Sequence, residues 1–98
     1  MVKVVYRGII KTALGTREEQ VDLPDGATVR MLLKHLKERH GSKFEEHILD
    51  ATETGLIRKE AIILVDGMNI ESLQGIETPL SESSETLVVM LAPVSAGG

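Results

Sequence analysis

The segment PDGATVRMLLKHLKERHG, residues 24–41, decides the fold because it holds a helix together with the signals for both of its ends. Residues 24–26 break the preceding strand, and Thr28 is placed to cap the helix by accepting a hydrogen bond from an unpaired backbone amide. Gly41 ends the helix as a left-handed cap. The apolar residues between these signals recur at i, i+3, i+4 and i+7, which predicts one buried helix face. They are Val29, Leu32, Leu33 and Leu36.

Strand patterns precede this helix. Residues 2–10 are rich in β-branched side chains and place Val2, Val4 and Tyr6 on one face. After a turn at residues 14–16, residues 17–23 alternate in the same way, so the two segments predict an antiparallel hairpin.

Further elements follow the helix. Residues 42–50 predict a second short helix with Phe44, Ile48 and Leu49 inward. The apolar run 61–65 predicts a strand buried on both faces, and Asp66-Gly67 is a strong signal for a two-residue hairpin turn. A last strand is expected at residues 86–91. Together these elements predict an α+β fold, with a mixed sheet of about four to five strands and one main helix across one face.

Composition limits the classes of function. A chain of 98 residues suits one domain that folds without disulfides or a structural metal. The absence of cysteine excludes thiolate metal sites and a cysteine nucleophile, and it favours a reducing, cytoplasmic location. A net charge of −4, no basic cluster in the sequence and only two aromatic residues argue against direct binding to nucleic acid. We also expect no membrane partner, because no apolar run is long enough to span a bilayer.

The titratable side chains predict no active site within the chain. His35 and His40 are five residues apart and do not share a helix face, so with His47 they are expected to be solvated and not to bind a metal. Paired acids such as Glu45 and Glu46 are explained by an exposed helix face.

The C-terminus carries the strongest functional signal. Gly97 and Gly98 follow a strand and a short tail. Because glycine has no Cβ, it can pass through a narrow tunnel that would exclude any other residue. We expect a domain at 1–92 and a flexible tail at 93–98 whose working group is the carboxylate of Gly98. A processing remnant is the alternative explanation. The residues expected to contact partner proteins are Pro93, Val94, Ser95, Ala96, Val88 and Met90.

The expectation for Val88 and Met90 comes from the uncovered side of the sheet. If the main helix covers one face, apolar residues of the last strand remain partly exposed on the other, where a partner could bind. The alternative is that residues 44–49 cover that side themselves.

Taken together, several segments resemble a known family: the hairpin–helix order, the turn at 65–70, the connection at 78–80 and the ending APVSAGG at 92–98. The chain is similar to the MoaD-like small subunit of molybdopterin synthase, within the ubiquitin-like (β-grasp) sulfur carriers. It departs from that pattern in two places. The tail has one extra residue between Val94 and the diglycine, and Ser83-Ser84-Glu85 replaces the usual Gly-Asp before the last strand.

The resemblance implies a carrier that is not itself catalytic and binds no cofactor. An E1-like enzyme would use ATP to adenylate Gly98, because a carboxylate with a pKa of about 3.3–3.7 is an unreactive anion at neutral pH. The acyl-adenylate would become a thiocarboxylate, which donates sulfur in the active site of a MoaE-like large subunit. Three alternatives remain: a ubiquitin-like modifier joined through Gly98 to target-protein lysines, a ThiS-like carrier for thiamine or tRNA thiolation, and a plain β-grasp interaction domain.

Overall fold

The computed structural model describes residues 1–48, 57, 61–81 and 83–90. In chain order the elements are β1 (Val2–Gly8), α1 (Ile9–Leu14), β2 (Glu18–Val21), α2 (Val29–His40), α3 (Ser42–Ile48), β3 (Ala61–Val65), β4 (Met68–Asn69) and β5 (Glu85–Met90), with short 3-10 turns at Ile70–Ser72 and Gly75–Glu77.

The five strands form one mixed sheet in the order β2-β1-β5-β3-β4. Strands β1 and β5 run parallel, with Val4 beside Thr86 and Tyr6 beside Val88. The other neighbouring strands pair antiparallel. This mixed sheet with a long helix packed across it confirms the predicted α+β, β-grasp fold.

The main helix, α2, has the predicted bounds. The Thr28 hydroxyl accepts a hydrogen bond from the Met31 amide at 3.4 Å, which is the predicted N-cap. Gly41 ends the helix with φ 66° and ψ −142°, so its φ is positive as expected while its ψ lies outside the left-handed helical region. The predicted apolar stripe is buried.

The first strand is shorter than predicted, because β1 ends at Gly8 and residues 9–14 form helix α1. Gly8 has φ 77°, a backbone angle that a β-branched residue rarely adopts, and this angle turns the chain out of the sheet. Ile10 is then fully buried. The antiparallel pairing of β1 with β2 is confirmed, but helix α1 lies between the two strands, before the predicted turn at residues 14–16.

Strand β3 has the predicted bounds but not the predicted burial. Ile63 and Val65 are buried, while Ile62 is 38% exposed. The prediction of burial on both faces is therefore wrong, because the core lies on only one face of β3. The predicted turn after β3 is confirmed: Asp66 and Gly67 both have positive φ (51° and 87°), as a type I′ hairpin requires.

One face of the sheet packs against the helices to form the core. Val4 and Tyr6 from β1 and Val88 from β5 are fully buried with Leu36 of α2. Helix α3 confirms the second short helix within the described residues, and its Phe44 and Ile48 are fully buried in the same cluster. The predicted inward position of Leu49 lies outside the described residues. In the described part of the chain, no helix is both long enough and apolar enough to cross a bilayer.

Candidate functional site: the open face of the sheet

The predicted chain-end site falls beyond the last described residue, Met90. Outside the described residues are Pro93, Val94, Ser95, Ala96, Gly97 and Gly98. The structure does define the strand that leads to them. Strand β5 lies at the centre of the sheet and ends with Met90 paired to Gly8. Strand β5 therefore ends beside the turn at which β1 passes into α1.

Val88 does not lie on an exposed surface. Its side chain is fully buried in the core, between its strand neighbours Tyr6 and Ile63. The expectation of an exposed Val88 is wrong, because side chains alternate along a strand and Val88 lies on the helix side of β5, as does the fully buried Thr86. The backbone of Met90 belongs to β5, and its side chain lies outside the described set.

The opposite side of the three central strands carries an apolar patch, here called the open face. Its members are the half-buried or exposed Val5, Ile62, Leu64, Leu87 and Val89. Leu87 stands between Val5 and Leu64 in the register, and Val89 stands beside Ile62. Cross-strand neighbours of this kind are close enough for their side chains to touch. An apolar patch of this kind on a sheet is suited to binding a partner protein.

The alternative, that residues 44–49 cover this face, is wrong for those of them that the structure describes. Phe44 and Ile48 are buried in the core cluster on the helix side of the sheet. Helix α3 packs against α1 and α2, away from the open face. Residues 44–48 therefore do not cover the patch.

A cluster of polar side chains ties the end of α2 to the edge of the sheet. The Tyr6 hydroxyl donates to Glu19 Oε2 at 2.6 Å, and His40 Nε2 lies 2.6 Å from the same oxygen. Arg39 Nη1 donates to Glu19 Oε1. The His40 side chain is only 17% exposed, so the expectation that all three histidines are solvated is wrong for His40.

The surroundings of this cluster shift two pKa values. Burial raises the pKa of Tyr6, and the carboxylate of Glu19 beside it raises it further. Burial alone would raise the pKa of Glu19, but hydrogen bonds from Tyr6, Arg39 and His40 outweigh burial and lower it. The cluster is a satisfied set of contacts that fixes α2 on β1 and β2. Within the described residues, no group of histidines and carboxylates is arranged to hold a metal ion.

Comparisons with known proteins point to one family. The model of the ThiS family matches residues 4–98. No curated protein matches the sequence. Among solved structures, SAMP1 from Haloferax volcanii has a TM-score of 0.81 at 16% identity, over 96% of this chain and 98% of that one, and this likeness concerns the fold.

Two other solved structures have higher identity. A Pyrococcus furiosus protein assigned as a molybdopterin converting factor, subunit 1, is 27% identical with a TM-score of 0.68, covering 93% of this chain and 97% of that chain. The small archaeal modifier protein 1 of Methanosarcina acetivorans is 26% identical with a TM-score of 0.74, covering 96% and 95%.

Proposed function

The chain belongs to the ThiS family of ubiquitin-like sulfur carriers and modifiers, and on that premise we propose that it carries sulfur on the C-terminal carboxylate of Gly98. The observation that supports this most is the family match, which runs through a sequence ending in two glycines. The open face supports it as well, because it offers an apolar docking surface on the same strand that leads into the tail.

The chemistry requires activation of that carboxylate. An ATP-dependent E1-like enzyme would bind the tail, and a carboxylate oxygen of Gly98 would attack the α-phosphorus of ATP with release of pyrophosphate. Hydrosulfide (HS−) then attacks the acyl carbon, AMP leaves, and loss of the sulfur-bound proton gives the thiocarboxylate. ATP is thus a substrate of the partner enzyme, and this chain supplies the acyl group and the docking surface.

We propose the small subunit of molybdopterin synthase as the place where this sulfur is used. The 27% identity to the Pyrococcus furiosus protein supports this assignment. The tail would insert into the active site of a MoaE-like large subunit, whose side chains would perform the sulfur transfer to the pterin precursor. A purified complex with that subunit should convert the precursor only when Gly98 carries the thiocarboxylate.

The tail itself can be tested with one variant and one control. Gly97→Val should block adenylation, because a branched side chain cannot pass a channel shaped for glycine. Ala92→Val makes a similar enlargement before the tail and should be adenylated normally. ATP–pyrophosphate exchange with the activating enzyme of the same genome measures both, and normal exchange with Gly97→Val would contradict the narrow-channel argument.

A protein modifier is the second candidate, supported by the 26% identity to small archaeal modifier protein 1 of Methanosarcina acetivorans. The same acyl-adenylate, once formed, can be attacked by a lysine ε-amine, which gives an isopeptide bond and releases AMP. Trypsin digestion of proteins from the source cells would then leave branched remnants on target lysines, each holding residues 60–98 of this chain, because Lys59 is its last basic residue. Carriage alone would leave no such remnants and would add sulfur to the free chain.

A further inference from the structure

A groove of about 580 Å³ adjoins the open face and is lined mainly by charged side chains. The charged residues of this groove, here called the basic groove, are Lys3, Arg7, Lys11, Arg17, Glu18 and Glu85. Four basic and two acidic side chains leave a net charge of +2 there, in a chain whose net charge is −4. The net charge of the groove is therefore opposite in sign to that of the protein as a whole.

Folding creates this cluster from three separate elements. Arg7 lies on the open side of β1, Lys11 lies on α1, and Arg17 lies in the connection before β2. The turn at Gly8 redirects the chain into α1 and so places Lys11 beside the strand. The sequence contains no run of basic residues, so the cluster depends on this turn.

Three of the basic side chains in the groove have no acidic partner within the part of the chain that the structure describes. Lys3 Nζ lies 3.4 Å from Glu18 Oε2 and is therefore paired. Arg7, Lys11 and Arg17 are exposed, and within the described ranges none of them forms an ion pair. By contrast, Arg30 on α2 pairs with Glu77 at 3.1 Å.

The basic groove and the open face form one continuous surface. Val5 belongs to both, and Arg7 pairs in register with Val89 of the open face. Gly8 also lines the groove, and it is the strand partner of Met90, from which the tail continues. An enzyme that holds the tail and covers the open face would therefore also cover the groove.

We propose that the basic groove receives an acidic segment of the activating enzyme, an inference that rests on the proposed function. The unpaired guanidinium and ammonium groups are complementary to carboxylates, and the adjoining apolar patch is typical of a protein interface. A nucleic acid fits less well, because the net charge of −4 repels a polyanion. Tyr6 is the one aromatic residue among the described residues that line the groove, and its side chain is fully buried and cannot stack with a base.

Charge reversal tests this assignment. Arg7→Glu with Lys11→Glu should raise the KM of the activating enzyme for the carrier roughly tenfold at low salt, with little change in kcat, because surface charges act mainly on association. The dependence of KM on salt should also become weaker than in the native chain. The matched control is Lys34→Glu with Lys43→Glu, which makes the same change in net charge on exposed helix positions outside the groove.

The possible outcomes separate the two proposals. If the native chain is adenylated and the groove variant has the same KM as the control variant, the groove assignment is overturned. It is also overturned if thermal unfolding shows that both variants are folded and the groove variant changes only kcat. Binding of a single-stranded oligonucleotide that requires Arg7 and Lys11, with adenylation kinetics unchanged, would assign the groove to nucleic acid and also overturn it. Failure of the native chain to be adenylated would overturn the proposed function together with this inference.

Discussion

Thr86 lies in the middle of β5, between Val4 and Val65, and its side chain is fully buried. Its hydroxyl oxygen has no hydrogen-bond partner among the described residues. A hydroxyl that is buried without a partner loses its hydrogen bonds to water, and no hydrogen bond within the protein replaces them. Thr86→Val replaces that hydroxyl with a methyl group of similar size, and we expect it to stabilise the fold.

The expected gain follows from the cost of burying a hydroxyl. Mutational data place that cost at about 1–3 kcal/mol when no hydrogen bond compensates it. The new methyl group also buries apolar surface in the core. A gain of about 1–2 kcal/mol should raise the Tm of a domain of this size by roughly 5–10 °C.

The matched control is Thr78→Val, because Thr78 is also buried, at 4% exposure, but its hydroxyl is satisfied. That hydroxyl donates to the Gly75 carbonyl at 2.7 Å and accepts from the Gln74 amide at 3.0 Å. Thr78→Val should therefore lower the free energy of unfolding by about 1–3 kcal/mol.

Urea unfolding and thermal melts of the native chain and of these two valine variants measure the comparison. Opposite signs for Thr86→Val and Thr78→Val are expected. A loss of stability in Thr86→Val, with an unchanged urea m-value, would contradict this expectation, because it would show that the hydroxyl is satisfied in the native protein.

Three other substitutions test separate parts of the structure. Glu19→Gln should cost about 1.5–3 kcal/mol near neutral pH by urea unfolding. The pKa of Glu19 is lowered in the folded state, so the stability that its carboxylate contributes is present above the ordinary pKa of 4.5 and is lost as pH falls through the lowered pKa. Glu19→Gln should therefore lose less stability on acidification than the native chain. The same acid profile in both chains would contradict this. Gly67→Ala should cost about 1–2 kcal/mol in thermal melts, since φ is 87° and no atom lies close enough to clash with the added Cβ; no loss would contradict the strained turn. Leu87→Asp on the open face should raise the KM for adenylation. The control is Met31→Asp at an exposed position on α2, which should leave the KM unchanged. Equal effects of the two substitutions on KM would argue against docking through the open face.

The sequence predicted the long helix and the strands with strong local signals. Helix α2 has its cap residue, its apolar spacing and its terminal glycine within 18 consecutive residues, and its bounds are as predicted. The turn at Asp66-Gly67 is likewise set by its own two residues. These features are local, so they can be interpreted without knowing the tertiary structure.

The errors arise where long-range packing decides. The predicted first strand extends to the β-branched Ile9 and Ile10, yet the turn at Gly8 and the burial of Ile10 place both residues in helix α1. Val88 and Val89 are chemically identical, and Val88 is the buried one because it pairs with the core residue Tyr6 of β1. His40 could not be assigned to the Glu19 cluster because its partners lie more than 20 residues away in sequence.

Surface features depend on the fold in the same way. The basic groove assembles Arg7, Lys11 and Arg17 from a strand, a helix and a loop, so composition and charge runs give no sign of it. The exposure of Leu87 could have been predicted from the sequence. Glu85 is charged and exposed, and Leu87, two residues further along the strand, lies on the same face as Glu85. The chemistry expected of Gly98 comes from the sequence and the family, since the tail lies outside the described residues.

The most direct test of the sulfur-carrier account is the intact mass of the chain after incubation with its activating enzyme, ATP and a sulfur donor. We expect a mass gain equal to the difference between sulfur and oxygen, located by fragmentation to Gly98. The gain should be absent when one extra residue is appended and retained after Gly98. An unmodified native chain beside a fully active enzyme, or an equal gain in the extended chain, would contradict it.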